Sequence, residues 1–128
     1  MDTIKIEKTE RSPEIEFVFP ENRFALRGES YPEDVPAFYG PHISALGNHL
    51  ESLEEGEVTF DFELIYFNST SAKVIMNLFE TLDEAAERGV TVTINWHFEE
   101  DDDNMEELGE EFGEDLESAT FNLCPKAE

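Results

Sequence analysis

Apolar and polar residues alternate along six segments of the 128-residue chain, and this period of two predicts β-strands. The segments are residues 4–7, 14–19, 24–28, 58–67, 90–98 and 120–123. Apolar residues recur at helical spacing in three others, which predicts helices at about 36–54, 72–88 and 105–116. Strands that alternate with helices indicate parallel β-α-β units, and the early strands indicate a hairpin. We therefore expect an α/β fold, a single domain over residues 1–128, with a mixed sheet, an N-terminal hairpin and about three helices packed on it.

Two local features sharpen this expectation. Pro41 lies within the first helical segment, and proline in a helix interior predicts a break or a restart there. The segment 58–67 ends in a nearly continuous apolar run, which is typical of a central strand covered on both faces. The polar stretch 68–71 then separates this strand from the second helix.

The charge is strongly negative, because 32 Asp and Glu face only 8 Lys and Arg, a formal balance of −24. Nucleic acids and anionic lipids need a cationic surface, so neither is an expected partner. The chain contains no apolar run long enough for a transmembrane helix and no apolar signal core, which predicts a cytoplasmic protein. The acidic surface is interpreted either as a solubility device or as a face that steers a basic partner.

Candidate catalytic and metal-binding residues are few. His42, His49 and His97 belong to no recognisable motif, and the single cysteine excludes a Cys-based zinc site. The acidic run 101–104 invites a calcium interpretation, but Met105 and the residue after it break the EF-hand pattern. The sequence therefore predicts no catalytic residue, no metal site and no cofactor.

The most informative segment is Asn68-Ser69-Thr70-Ser71, between a buried strand and an amphipathic helix. One hydroxyl there can cap the helix by accepting a free backbone amide. A hydroxyl at this point is also a favourable place for a phosphate, since helix amides attract anions and Lys73 is in the first turn. Capping alone and a phosphorylation switch are both open from the residues themselves.

Four segments carry a resemblance to a known family: residues 64–73, 28–33, 96–98 with the acidic loop after them, and 107–112. Taken in their order along the chain, they resemble the SiaC family of bacterial biofilm regulators. The resemblance implies a fold similar to STAS domains and a non-enzymatic switch. It implies a cognate kinase with a histidine-kinase-like ATPase domain, a PP2C-type phosphatase, and a diguanylate cyclase that the unmodified form binds and activates.

In the family pattern the acceptor hydroxyl directly follows the asparagine and is often threonine. The corresponding residue here is Ser69, with Thr70 as the alternative acceptor. Asn68 is expected to shape the turn and orient the hydroxyl.

Supporting roles are expected around this acceptor. Thr70 or Ser71 would cap the helix, and Lys73 would help to hold the phosphate. The turn at Tyr31 and Pro32 and the exposed parts of helix 72–88 are the predicted partner contacts.

Two other classes compete with the switch. The acidic stretch 99–117 suits a protein that mimics nucleic acid and occupies a basic protein. A small calcium-dependent protein is the second alternative. Salt-sensitive binding distinguishes the first from the switch, and calcium titration distinguishes the second.

Overall fold

The computed structural model describes residues 3–126 of the chain. Six strands are present: β1 (Thr3–Ile6), β2 (Glu14–Val18), β3 (Arg23–Ser30), β4 (Glu57–Phe67), β5 (Thr91–Glu99) and β6 (Thr120–Lys126). Three α-helices connect the later strands: α1 (Val35–Ser52), α2 (Ser69–Glu87) and α3 (Asp103–Glu114). A short 3-10 turn, Phe19–Glu21, joins β2 to β3. The order of elements confirms the predicted order.

All six strands form one mixed sheet in sequence order, β1-β2-β3-β4-β5-β6. The first three strands are antiparallel, and β3 to β6 are parallel. Each parallel connection contains one helix and moves one strand further in the same direction. Because such crossovers are almost always right-handed, the three helices lie on the same face of the sheet.

The core lies between this face and the helices, and aromatic side chains dominate it. The stacked rings of Phe60 and Phe62 have centroids 4.4 Å apart, and Phe62 also packs against Phe79 of α2. The indole nitrogen of Trp96 donates a hydrogen bond to the Met105 carbonyl at 3.0 Å, which ties α3 to β5. The largest fully buried side chains include Trp96, Phe17, Phe19, Phe24, Phe60, Phe62, Ile15, Leu26, Leu46, Leu50, Ile75 and Leu78.

The opposite face of the sheet carries polar side chains, and no helix of residues 3–126 covers it, so the prediction that β4 is covered on both faces is wrong. Arg27 of β3 forms ion pairs with Glu14 and Glu16 of β2 and with Glu63 of β4. Lys126 of β6 also pairs with Glu63. We call this surface the open face.

His97 also lies on the open face. It is half-buried, and its Nε2 lies 3.0 Å from an Asp61 carboxylate oxygen, so the side chain is held by a neighbouring strand. Asn95 donates to the same Asp61 oxygen at 3.0 Å. His97 therefore belongs to a cross-strand polar ladder with Asp61 and Asn95, whereas the sequence pattern predicts that it is exposed.

Helix α1 passes through Pro41 without a break, which contradicts the predicted interruption. Proline has no amide to donate to the Ala37 carbonyl, so one helical hydrogen bond is missing. The buried side chains of Tyr39, Leu46 and Leu50 hold the helix against the core on both sides of this gap. Among residues 3–126, no helix combines the length and apolar character that crossing a bilayer requires.

The borders of the sheet are β1 and β6. β1 contains only four described residues, and one of them is Lys5. β6 contains Pro125, which has no amide to donate to an additional strand.

Candidate functional site

The hydroxyl run lies at the junction of β4 and α2, where the helix begins at Ser69 and thus three residues before Ala72. Asn68 is the N-cap residue, and its side-chain oxygen accepts a hydrogen bond from the Ser71 amide at 2.9 Å. The prediction that Thr70 or Ser71 caps the helix is therefore wrong. Asparagine is among the preferred capping residues because its short side chain reaches the first-turn amides.

The three hydroxyls have different surroundings, since Ser69 and Thr70 are exposed whereas Ser71 is fully buried. Ser30 at the end of β3 donates a hydrogen bond to the Ser71 hydroxyl at 2.9 Å. The Tyr39 hydroxyl lies 2.5 Å from the Ser30 hydroxyl and donates to it, since the Ser30 proton is already committed. A modifying enzyme can therefore reach Ser69 and Thr70, but not Ser71.

This buried hydroxyl chain remains uncharged. Burial raises the pKa of Tyr39 to about 12. The hydrogen bonds among Tyr39, Ser30 and Ser71 connect α1, β3 and the first turn of α2. They therefore hold in place the turn that carries the exposed Ser69 and Thr70.

The electrostatics of the first turn of α2 favour an anion. The amides of Ser69 and Thr70 have no acceptor within the helix, and the first turn contains no acidic residue. Lys73 is exposed, and it follows Ser69 by four positions, so both lie on one side of the helix. Among the ion pairs of residues 3–126, none involves Lys73.

Two tyrosines in ring contact, Tyr31 and Tyr66, adjoin this turn, and we call them together with their chain neighbours Pro32 and Ile65 the tyrosine patch. The rings of Tyr31 and Tyr66 meet edge to face with centroids 5.6 Å apart. Ile65 and Tyr66 are 63% and 51% exposed. The Asn68 amide donates to the Ser30 carbonyl at 3.1 Å, which holds the patch beside the hydroxyl run.

The sequence predicts a partner contact at Tyr31 and Pro32, which stays a prediction. It does not predict that Ile65 and Tyr66 are exposed, because it assigns them to a buried strand. The register between β3 and β4 shifts after Gly28, and Ile65 is left without a partner in β3. β-Bulges of this kind redirect side chains next to functional sites. A glycine preceding a strand end is the one sequence signal that could have indicated the irregularity.

The other candidate residues have structural surroundings. His49 bonds to the Asn22 side chain at 2.6 Å, and His42 packs against the Phe38 ring. Asp102 caps α3 by accepting from the Met105 amide at 3.0 Å. Within residues 3–126, no three His, Cys, Asp or Glu side chains are arranged to hold a metal ion, so the calcium alternative has no ligand cluster in that part of the chain.

Comparison with known proteins decides the family. A family model described as SiaC family regulatory phosphoprotein matches residues 6–126. The chain belongs to the SiaC family. An uncharacterized protein of Pseudomonas aeruginosa strain UCBPP-PA14 is 30% identical over 115 residues, which is 90% of both chains. Members of this family are regulators, and the protein is accordingly not an enzyme.

Two solved structures show the same fold. Apo-SiaC from Pseudomonas aeruginosa is 31% identical, with a TM-score of 0.87 over 97% of this chain and 99% of that one. SiaC in the complex of the diguanylate cyclase SiaD with its activator SiaC, from the same organism, is 29% identical. Its TM-score is 0.90 over 96% of this chain and 99% of that one. These likenesses confirm the predicted α/β fold and the family, while the STAS-like relationship stays a prediction.

Proposed function

We propose that this protein is a phosphorylation-controlled activator of a diguanylate cyclase and that Ser69 is the switch residue. The observation that carries the proposal is an exposed Ser69 on the first turn of α2, beside the tyrosine patch. Membership of a family of regulatory phosphoproteins supports it. So does the complex in which a related SiaC is the activator of SiaD.

The modification adds charge at a site able to accept it. A kinase with a histidine-kinase-like ATPase domain transfers the γ-phosphoryl group of ATP to the Ser69 oxygen. The bond to ADP breaks, the new O–P bond forms and the hydroxyl proton leaves. The phosphate adds about −1.5 to −2 charges at neutral pH, which the first-turn amides and Lys73 partly offset. A PP2C-type phosphatase restores the hydroxyl by hydrolysis.

The effect on a partner follows from the neighbouring surface. In the unmodified state, the partner covers the tyrosine patch and the first turn of α2 together. A phosphate on Ser69 would have to lose its hydration in that interface, and the cost of burying an unpaired charge opposes docking. The fold itself is little changed, because the buried hydroxyl chain beneath Ser69 does not take part.

Single substitutions identify the acceptor. After incubation with the cognate kinase and ATP, we expect Ser69→Ala to show no phosphoryl mass by intact-mass spectrometry, because the reactive oxygen is gone. The matched control Thr70→Ala, exposed one position further, should be modified like the unsubstituted chain. Full modification of the Ser69 variant together with its loss in the Thr70 variant would transfer the assignment to Thr70.

Binding and cyclase output test the switch itself. In calorimetry, we expect the phosphorylated protein to bind the cyclase at least about tenfold more weakly than the unmodified protein does. In the activation assay, the cyclase should make less cyclic di-GMP with the phosphorylated protein than with the unmodified protein. Ser69→Ala should bind normally with and without kinase. Binding that ignores phosphorylation but collapses with added salt would instead favour the acidic-mimic alternative.

A further inference from the structure

We propose that the groove between α2 and α3 is a second docking surface and that it binds a basic amphipathic helix of a partner protein. This inference does not rest on the role of Ser69. Met76, the groove residue nearest to Ser69 along α2, lies about two helical turns beyond it.

The floor of the groove is apolar and partly open to solvent. Met76 of α2 is 50% exposed, and Phe79 of the same helix lies beneath the groove. Phe112 and Leu116, from α3 and the residues just after it, complete the floor. The groove encloses about 90 Å³, room for part of an apolar side chain. Flexible methionine side chains adapt to incoming apolar groups, which makes them frequent at peptide-binding surfaces.

The rim is acidic on both sides, and it consists of Glu80, Asp83, Glu111 and Asp115. None of these four carboxylates belongs to an ion pair among residues 3–126. Asp83 accepts hydrogen bonds from the backbone amides of residues 117–119 at 2.8–3.3 Å. Burial alone would raise the pKa of Asp83, but these bonds together outweigh it, so the pKa is lowered.

The acids of the open face differ from those of the rim. Glu14, Glu16 and Glu63 are each paired with Arg27, and Lys126 adds a second cation at Glu63. Like charges three and four residues apart on each helix therefore repel one another at the rim, and no cation among residues 3–126 forms an ion pair with them. A partner that supplies lysine or arginine around an apolar stripe relieves the repulsion and covers Met76 at the same time.

The shape of the groove selects a helix. Two helices border it, and a third helix that lies along such a groove inserts residues spaced three, four and seven apart. The remaining positions of the docked helix can then carry lysine or arginine side chains that face the acidic residues on both sides of the groove. The acidity excludes a nucleic acid as the occupant.

A synthetic peptide tests the proposal on the full chain. The probe contains ~18 residues, with leucine at helical spacing and lysine elsewhere, long enough to form a helix on binding. At physiological salt we expect it to bind about tenfold more tightly than a scrambled peptide of identical composition, which has no apolar face. Equal affinity of the two peptides, or no binding of the first, would overturn the proposal.

Neutralising the rim locates the binding site. The combined variant Glu80→Gln, Glu111→Gln and Asp115→Asn removes three rim charges and leaves the structural Asp83 in place. We expect this variant to bind the amphipathic peptide about tenfold more weakly than the unsubstituted chain does. Circular dichroism confirms that the variant is folded before its affinity is compared.

A matched charge control excludes general attraction between an acidic protein and a basic peptide. Glu51→Gln, Glu54→Gln and Glu55→Gln remove the same charge from exposed residues that do not line the groove. We expect less than about a twofold effect from this control. Met76→Ala should weaken binding of the peptide, whereas Asn77→Ala, at an exposed residue of α2 that does not line the groove, should not. Equal losses in the two charge variants would refute a specific groove.

Discussion

Asn68 shows how one residue organises the junction of β4 and α2. Its side-chain oxygen accepts a hydrogen bond from the Ser71 amide, and its backbone N–H donates to the Ser30 carbonyl. These two bonds fix the end of β4 and the start of α2, which leaves the next residue, Ser69, outermost. The position of the Ser69 hydroxyl is therefore set by the neighbouring Asn68.

The cap makes a measurable prediction. Asn68→Ala removes the acceptor of the Ser71 amide, and we expect the free energy of unfolding to fall by about 1 kcal/mol. Asn68→Asp keeps an acceptor oxygen and should retain most of the stability. Urea denaturation measures both.

Asn77→Ala is the control for this pair, because Asn77 is exposed in the middle of α2 and is no part of the cap. Alanine favours a helix interior, so this variant should be at least as stable as the unsubstituted chain. A loss in Asn77→Ala as large as that in Asn68→Ala would show that the cap is not the cause.

Close packing between elements sets the position of α3. The helix approaches β5 so closely that a Cβ on Gly109 would lie 2.5 Å from the Trp96 ring. The indole of Trp96 meanwhile donates to the Met105 carbonyl one turn earlier. Gly113 approaches Phe121 of β6 in the same manner, at 2.6 Å. Glycines within this helix are thus explained by contact with aromatic rings.

Two glycine substitutions test this packing with opposite signs. Gly109→Ala forces a methyl group into the Trp96 ring, and we expect a loss of about 1–3 kcal/mol in unfolding free energy. Gly47→Ala lies within α1, where nothing is within 4 Å of the new Cβ, and should stabilise by about 0.5–1 kcal/mol. Thermal or urea unfolding of both variants gives the signs; a stable Gly109→Ala would contradict the close contact.

Periodicity predicts the elements because it reports which side of a strand or helix faces a core. The alternation in β5 and the apolar stripe of α2 both lead to the observed elements. Periodicity does not show how many layers cover the sheet, so it could not predict that Ile65 is exposed. The passage of α1 through Pro41 was equally beyond it, since tertiary packing there outweighs a local preference.

The candidate site is predictable in part. The position of the hydroxyl run follows from the boundary between a strand and a helix, but which hydroxyl is buried does not. Ser71 is buried because Ser30 and Tyr39 meet it, and these residues are distant along the chain. Long-range hydrogen bonds of this kind leave no mark in local sequence.

Charge is distributed unevenly over the protein as a whole. Lys5, Arg27 and Lys126 pair with glutamates on the open face. With 32 acidic and only 8 basic residues, most carboxylates have no cation to pair with. Such a balance keeps a protein soluble, while mutual repulsion weakens the folded state.

Salt should therefore stabilise the protein. As sodium chloride rises from about 10 mM to about 100 mM, the Debye length falls from roughly 30 Å to about 10 Å, and distant carboxylates cease to repel. We expect the midpoint of thermal unfolding at pH 7 to rise by about 5 °C. The same salt step should have a smaller effect as the pH approaches the isoelectric point near 4.1. An unchanged or lower midpoint at pH 7 would contradict this expectation.

The two borders of the sheet limit how any other polypeptide can be recognised. At one border β1 is short and contains a lysine, and at the other border β6 contains a proline. Both features reduce main-chain hydrogen bonding to an added strand. Affinity must then come from side chains on the broad surfaces, where each contact can be exchanged independently of the backbone. Relatives with this scaffold could thus acquire new binding preferences by point substitution alone, without any rearrangement of their strands.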